Sequence, residues 1–151
     1  MKRFVIALFI LVASALPAFA CATSLDESLH CDRPAHAFIG ALEAQGLIDP
    51  HPSRVESNSI NAFDPIHGVD LTAFGFHVFA IVGFQKDDPM FRKGDGKPIA
   101  DSAYGAVVLG ATNKVKAAVE AGGSTAIVEH VAPLVTAIFC QQDTSAPADS
   151  H

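Results

Sequence analysis

The three cysteines of this 151-residue chain are the side chains whose chemistry the sequence constrains most. Cys31 and Cys140 lie near opposite ends of the chain, and Cys21 precedes both. Three cysteines allow three single pairings. We expect Cys31 to pair with Cys140, because Cys21 lies on a short segment ahead of the domain and thiols pair in oxidising compartments. No Cys-x-x-Cys occurs, so the spacing favours neither thioredoxin-like redox chemistry nor structural zinc.

The seven histidines raise the question of a metal or catalytic site. No two of them have the i, i+4 spacing of a helical zinc site, and the sequence contains no His-Glu-x-x-His. The nearest approach is Glu129-His130 on a predicted strand. A small metal-binding protein or hydrolase that uses His77, His130 and Glu129 is therefore the alternative hypothesis. The favoured prediction is that the chain binds no metal and no cofactor.

A polar, turn-rich stretch at residues 85–98 predicts an exposed loop between two strands. It carries Met90 and Phe91 amid charged residues, and an exposed apolar pair with a charged rim is typical of a protein contact. The alternative is that Phe91 folds back onto the sheet. The Asp-x-Asp-x-Asp-Gly alternation of a calcium loop is absent, and lysines are interspersed. The predicted partner-binding residues are Asp87, Asp88, Met90, Phe91 and Asp95.

The N-terminus has the pattern of a secretory signal peptide. Lys2 and Arg3 precede an apolar run at residues 4–16, and small residues follow at Ala18 and Ala20. The run is shorter than the roughly 20 apolar residues that span a bilayer. We expect residues 1–20 to be removed, and a signal of this bacterial type predicts a periplasmic protein.

Cys21 would then be the first residue of the exported chain, the position at which bacterial lipoproteins carry lipid. The preceding Ala18-Phe19-Ala20 matches the lipoprotein recognition sequence poorly, since Leu is usual at its first place and a small residue at its second. Lipidation of Cys21 and a free thiol there are both open alternatives. The protein is expected to contact a membrane only if Cys21 is lipidated.

Charge narrows the classes of partner. The chain has 10 basic and 16 acidic side chains. Loss of residues 1–20 removes two basic residues and no acidic one, which leaves 8 against 16 and a formal charge of −8. Nucleic-acid binding requires a basic surface, so we expect no nucleic-acid partner. A protein partner is expected to be basic.

Hydrophobic periodicity predicts the elements that position these residues. Residues 33–44 have a helical apolar stripe with Asp32 as a natural N-cap, and residues 112–121 predict a second helix. Apolar residues on both faces of 68–84 predict a central strand. Further strands are predicted at 54–63, 102–109, 125–131 and 134–140.

The order α-β-β-β-α-β-β predicts an α+β domain with a mostly antiparallel sheet of about five strands and two helices on one face. We expect a single domain at residues 31–140, an N-terminal leader at 21–30 and a disordered tail at 141–151. No Gly-x-Ser-x-Gly or phosphate-binding spacing occurs, so no enzyme motif is found. The sequence therefore predicts a non-catalytic periplasmic binding protein, an inhibitor or immunity-type protein that neutralises a basic enzyme or toxin.

Overall fold

The computed structural model describes residues 21–143. The predicted signal peptide and most of the predicted tail lie outside the described residues. The described elements are β1 (Thr23–Ser24), a 3₁₀ turn (Glu27–Leu29), α1 (Ala35–Ala44), β2 (Arg54–Val55), β3 (Asn61–Phe63), β4 (Leu71–Ala73), β5 (Phe76–Gln85), β6 (Ser102–Leu109), α2 (Thr112–Ala121), β7 (Ile127–Ala132) and β8 (Val135–Gln142).

The strands form an eight-stranded sheet whose main path runs β1-β4-β5-β6-β8-β7. The N-terminal part of β5 pairs with β4 and its C-terminal part with β3, which in turn pairs with β2. Only the β1–β4 pair is parallel. The α+β class and the mostly antiparallel sheet are therefore confirmed.

The sheet has eight strands and not about five, because two predicted strands are hairpins and β1 adds a strand at one edge. The segment at 68–84 is divided into β4 and β5 by a turn at Phe74 and Gly75, which both have positive φ angles of 49° and 86°. Residues 54–63 are likewise divided into β2 and β3, with Ser59 at φ 70° in the connection. The continuous apolar character of 68–84 hid its turn, because only one of the two turn residues is a glycine.

Both helices pack on the same face of the sheet and share one core. Phe38, Ile39 and Leu42 of α1 join Val115 and Val119 of α2 in the cluster of buried residues. Gly83 of β5 makes room for α1, because a Cβ there would lie 2.8 Å from the Cγ1 of Ile39. The two-helix layer on one face is as predicted.

The start of α1 differs from the expected Asp32 cap. The helix begins at Ala35 with Pro34 as its N-cap. The Ala35 backbone N–H donates to Ser102 Oγ at 2.9 Å, and that of His36 donates to Gln85 Oε1 at 2.9 Å. Asp32 instead accepts hydrogen bonds from Arg33, which hold the pKa of its carboxyl below the ordinary value. Side chains distant in sequence therefore satisfy the free N–H groups at the helix start.

A disulfide joins Cys31 to Cys140, as predicted, and ties the segment before α1 to β8. The segment at 21–30 is part of the domain and not a separate leader, because β1 extends the sheet and Leu25 and Leu29 are fully buried. Residues 141 and 142 likewise belong to β8 and not to a tail.

The disulfide between Cys31 and Cys140 is typical of proteins in oxidising compartments outside the cytosol. No helix within 21–143 is both long and apolar enough to cross a membrane.

Candidate functional site

The loop from β5 to β6 does not present the predicted apolar pair to solvent. Phe91 is 7% exposed and packs against Phe63 and Phe84, with ring centroids 6.3 Å apart in each pair. Met90 is half-buried and packs over Gly40 of α1. The expectation that Met90 and Phe91 form an exposed contact is wrong, and the folded-back alternative for Phe91 is the one observed. Both side chains help to fix the loop to the core.

The carboxylates of this loop have different roles. Asp88 Oδ2 lies 2.6 Å from His36 Nδ1, and Asp88 Oδ1 accepts the Met90 backbone N–H at 2.9 Å. The Asp88 side chain is 12% exposed, and its contact with His36 joins the loop to α1. Asp87 and Asp95 are exposed. The five residues predicted to bind a partner therefore do not form one exposed contact surface.

Asn61 is the residue that holds the far side of this loop, and the sequence analysis missed it. Its buried side chain donates from Nδ2 to the Ser59 and Arg92 carbonyls, both at 2.8 Å, and accepts the Arg92 N–H at 3.0 Å. The Gly94 N–H donates to Ser59 Oγ at 3.0 Å. The loop is consequently attached to the β2–β3 connection and is not a freely solvated hairpin. Apolar neighbours on both sides of Asn61 were its only sequence signal.

The histidine hypothesis is not supported by the geometry. His77 lies at the start of β5 and His130 on β7, and strands β6 and β8 separate them. Glu129 and His130 are successive strand residues and point to opposite faces of the sheet. His130 faces α2, where its Nδ1 is 3.4 Å from Thr112 Oγ1, and His77 Nδ1 is 3.4 Å from Asp70. Within residues 21–143 no three His, Cys, Asp or Glu side chains are grouped to hold a metal ion.

The sheet face opposite the helices is apolar. Strand alternation sends Tyr104, Ala106 and Val108 of β6 into the core and the intervening residues to the other side. The same alternation in β8 turns Thr136, Ile138 and Cys140 inward. The surface that results, called the open face below, consists of Val82, Ala103, Val107, Leu109, Ile127, Glu129, Val135, Ala137 and Phe139.

Parts of the open face are well exposed to solvent. Leu109 is 51% exposed and Ile127 is 41% exposed, and Leu134 in the adjacent β7–β8 turn is 68% exposed. Both α-helices of the described chain lie on the other side of the sheet. Ala103 and Phe139 of the same face are buried, and Ile60 and Ile99 of the neighbouring loops help to line a pocket in that face. Exposed apolar surface that extends beyond a single residue marks interaction sites in soluble proteins.

A shallow pocket of about 160 Å³ lies within the open face. Val82, Val107, Ala137 and Phe139 line it, and Glu129 contributes the only charged side chain of the lining. Glu129 takes part in no ion pair with another described residue. The pocket therefore combines apolar walls with one negative charge, which suits an aliphatic side chain that ends in a cation.

Gly105 shapes the centre of the open face. It pairs with Phe139 in the β6–β8 ladder, and a Cβ on Gly105 would lie 2.7 Å from the Phe139 Cα. The missing side chain lets β8 approach closely and leaves room for Phe139 above the sheet. Sequence reasoning placed Gly105 in a strand but gave it no role.

Comparison with known proteins adds no family to this description. No protein-family model matches the chain, and no curated protein or solved structure shows significant similarity to it.

Proposed function

We propose that this chain is an exported, non-catalytic protein-binding protein of the periplasm, and that a basic protein partner docks on the open face. The observation that carries the proposal is the helix-free, apolar face of the sheet, which extends over β5, β6, β8 and β7 and is exposed at Leu109 and Ile127. The loop at 86–97 is a weaker candidate for the contact surface, because Phe91 is buried and Met90 is half-buried.

Charge supports a basic partner both through long-range attraction and through a short-range contact. The exported chain would have a formal charge of −8, and a negative potential speeds the encounter with a cationic protein. At short range, Glu129 places a carboxylate among the apolar walls of the open-face pocket. A Lys or Arg side chain can lay its aliphatic stem against such walls while its charged end meets Glu129.

Export rests on the signal-like pattern at residues 1–20 and is consistent with the disulfide, since such bonds persist in oxidising compartments. Cys21 is a free, exposed cysteine. Its lipidation would tether the protein to a membrane, and a free thiol would leave it untethered.

The biological role that fits these features is neutralisation of a basic enzyme or toxin, as an inhibitor or immunity-type protein performs it. A rigid sheet held by a disulfide presents its contact surface without reordering, which reduces the entropic cost of binding. An apolar centre with charge at selected points is the usual composition of such contacts.

Affinity capture with matched baits tests the proposal. The wild-type protein, a Leu109→Lys/Ile127→Lys variant and an Ile66→Lys/Ala117→Lys control are each exposed to a periplasmic extract and to the culture of competing bacteria. Ile66 is 39% exposed and lies outside the strands, and Ala117 is exposed on α2, so the control adds the same charge away from the open face.

We expect a stoichiometric basic protein on the wild-type and control baits and its loss from the open-face variant, because added lysines repel a cationic partner. An acidic partner would contradict the charge argument. Equal retention on all three baits would exclude the open face as the docking surface, and the absence of any stoichiometric partner would overturn the proposed function.

A further inference from the structure

A second cavity, of about 570 Å³, lies between the β5–β6 loop and the ends of β6 and β8. It is separate from the open-face pocket, although Ile99 borders both. Its volume is within the range of about 300–1,000 Å³ that is typical of small-molecule sites.

Three exposed lysines line this cavity. Lys86 comes from the start of the loop, and Lys93 and Lys97 from its middle. After residue 20 the chain has only 8 basic side chains, so three of them at one cavity is a local excess in an acidic protein. None of the three forms an ion pair with a described residue.

Two carboxylates also line the cavity, and they leave the lysines in excess. Asp143 Oδ1 accepts the backbone N–H of Asp101 at 3.1 Å. Asp101 is half-buried beside it. With three ammonium groups against two carboxylates, the lining retains a net positive charge in a protein that is negative as a whole.

The rest of the lining is largely apolar. Pro98 and Ile99 are exposed and contribute carbon surface, whereas Phe84 and Ser59 border the cavity as buried residues, and the Ser59 hydroxyl already accepts the Gly94 N–H. A ligand that meets both parts of this lining needs a negative group for the lysines and an apolar body for the carbon surface.

The loop backbone that bears Lys93 and Lys97 is fixed in place. A Cβ on Gly94 would collide with the backbone carbonyls of Glu56 and Ser57, so only glycine allows this close approach. The Gly96 N–H donates to the Ser57 carbonyl at 2.9 Å. The lysines therefore extend from an anchored main chain, which lowers the ordering cost of binding.

We propose that this cavity binds a small organic anion, one in which a carboxylate, sulfonate or phosphate is attached to a compact apolar body. This site is independent of the open face and of the proposed protein partner. It adds a small-molecule binding activity to the same chain.

A pair of fluorescent probes with similar aromatic bodies tests the proposal. The first, 8-anilinonaphthalene-1-sulfonate, is an anion, and N-phenyl-1-naphthylamine is its neutral counterpart. Titrations use the oxidised wild-type protein, a Lys93→Gln/Lys97→Gln variant and a Lys114→Gln/Lys116→Gln control, which removes the same charge from exposed positions of α2. A Leu109→Asp/Ile127→Asp variant reports binding of the probe on the open face.

We expect the Lys93→Gln/Lys97→Gln variant to raise the dissociation constant of the sulfonate probe by about fivefold, given that each exposed charge contributes modestly. The α2 control is expected to change it by less than about twofold, and the neutral probe should not distinguish these variants. The proposal is overturned if the loop variant and the α2 control have equal effects, or if only the open-face variant weakens binding. Parallel loss of the neutral probe would also overturn it.

Discussion

At the residue scale, the polar side chains that fix the β5–β6 loop have more structural importance than their positions in the sequence suggest. Asn61 is fully buried and uses both its donor and its acceptor atoms. A short polar residue between apolar neighbours does not reveal its partner 31 residues away. Asp88 is a similar case, because its contact with His36 spans 52 residues. Local patterns cannot predict such pairs.

Replacing Asn61 tests this anchoring function. We expect Asn61→Ala to lower the free energy of unfolding by about 3 kcal/mol, because the Ser59 and Arg92 main-chain groups lose their partner. Urea unfolding monitored by circular dichroism measures the change. Asn113→Ala, at an exposed position of α2, is the control and should stay within about 0.5 kcal/mol of the wild type. Equal effects of the two substitutions would show that Asn61 does not anchor the loop.

At the element scale, hydrophobic periodicity predicted the type of most elements and missed their breaks. Both helices, the long strands β6 and β8 and the single helical layer correspond to the sequence prediction. The short strand β1 was missed because two residues carry too little periodicity, and the turns that separate β2 from β3 and β4 from β5 were missed inside predicted strands. The open face was also missed as a candidate site, because its composition depends on which strands become neighbours in the sheet.

Gly105 and Gly40 provide a matched pair for testing how closely the elements pack. Gly105→Ala should destabilise the protein by about 3 kcal/mol, because the added methyl group collides with the β8 main chain. Gly40→Ala should stabilise it by about 0.5–1 kcal/mol, because the methyl group would lie 3.7 Å from Met90 and alanine favours the helix. Thermal and urea unfolding measure both changes. A tolerated alanine at Gly105 would contradict the close approach of β6 and β8.

At the scale of the whole molecule, the disulfide joins the two ends of the described fold. The half-cystines are 109 residues apart in sequence, and their pairing followed from cysteine count and position alone. The candidate site could not be predicted in the same way. The charged loop was the visible signal in the sequence, whereas the open face arises only when the four strands β5, β6, β8 and β7 assemble.

Removal of the disulfide should destabilise the protein strongly. We expect Cys31→Ala/Cys140→Ala to lower the free energy of unfolding by about 4–5 kcal/mol, as the chain-entropy argument gives for a loop of this length. Urea unfolding of the oxidised wild type and the variant measures the loss. Cys21→Ala removes the free, exposed thiol and should leave the stability unchanged. A comparable loss in Cys21→Ala would mean that another pairing stabilises the protein in solution.

Hydroxyl-radical footprinting of the complex with the captured basic protein tests the docking of that partner on the open face most directly. Labelling of Leu109, Ile127 and Leu134, which are all exposed in the isolated chain, should fall on binding. Labelling of Ile66 should not change. Protection of Ile66 or of the exposed sides of α1 and α2, with Leu109 and Ile127 still labelled, would place the partner elsewhere and contradict the docking surface proposed here.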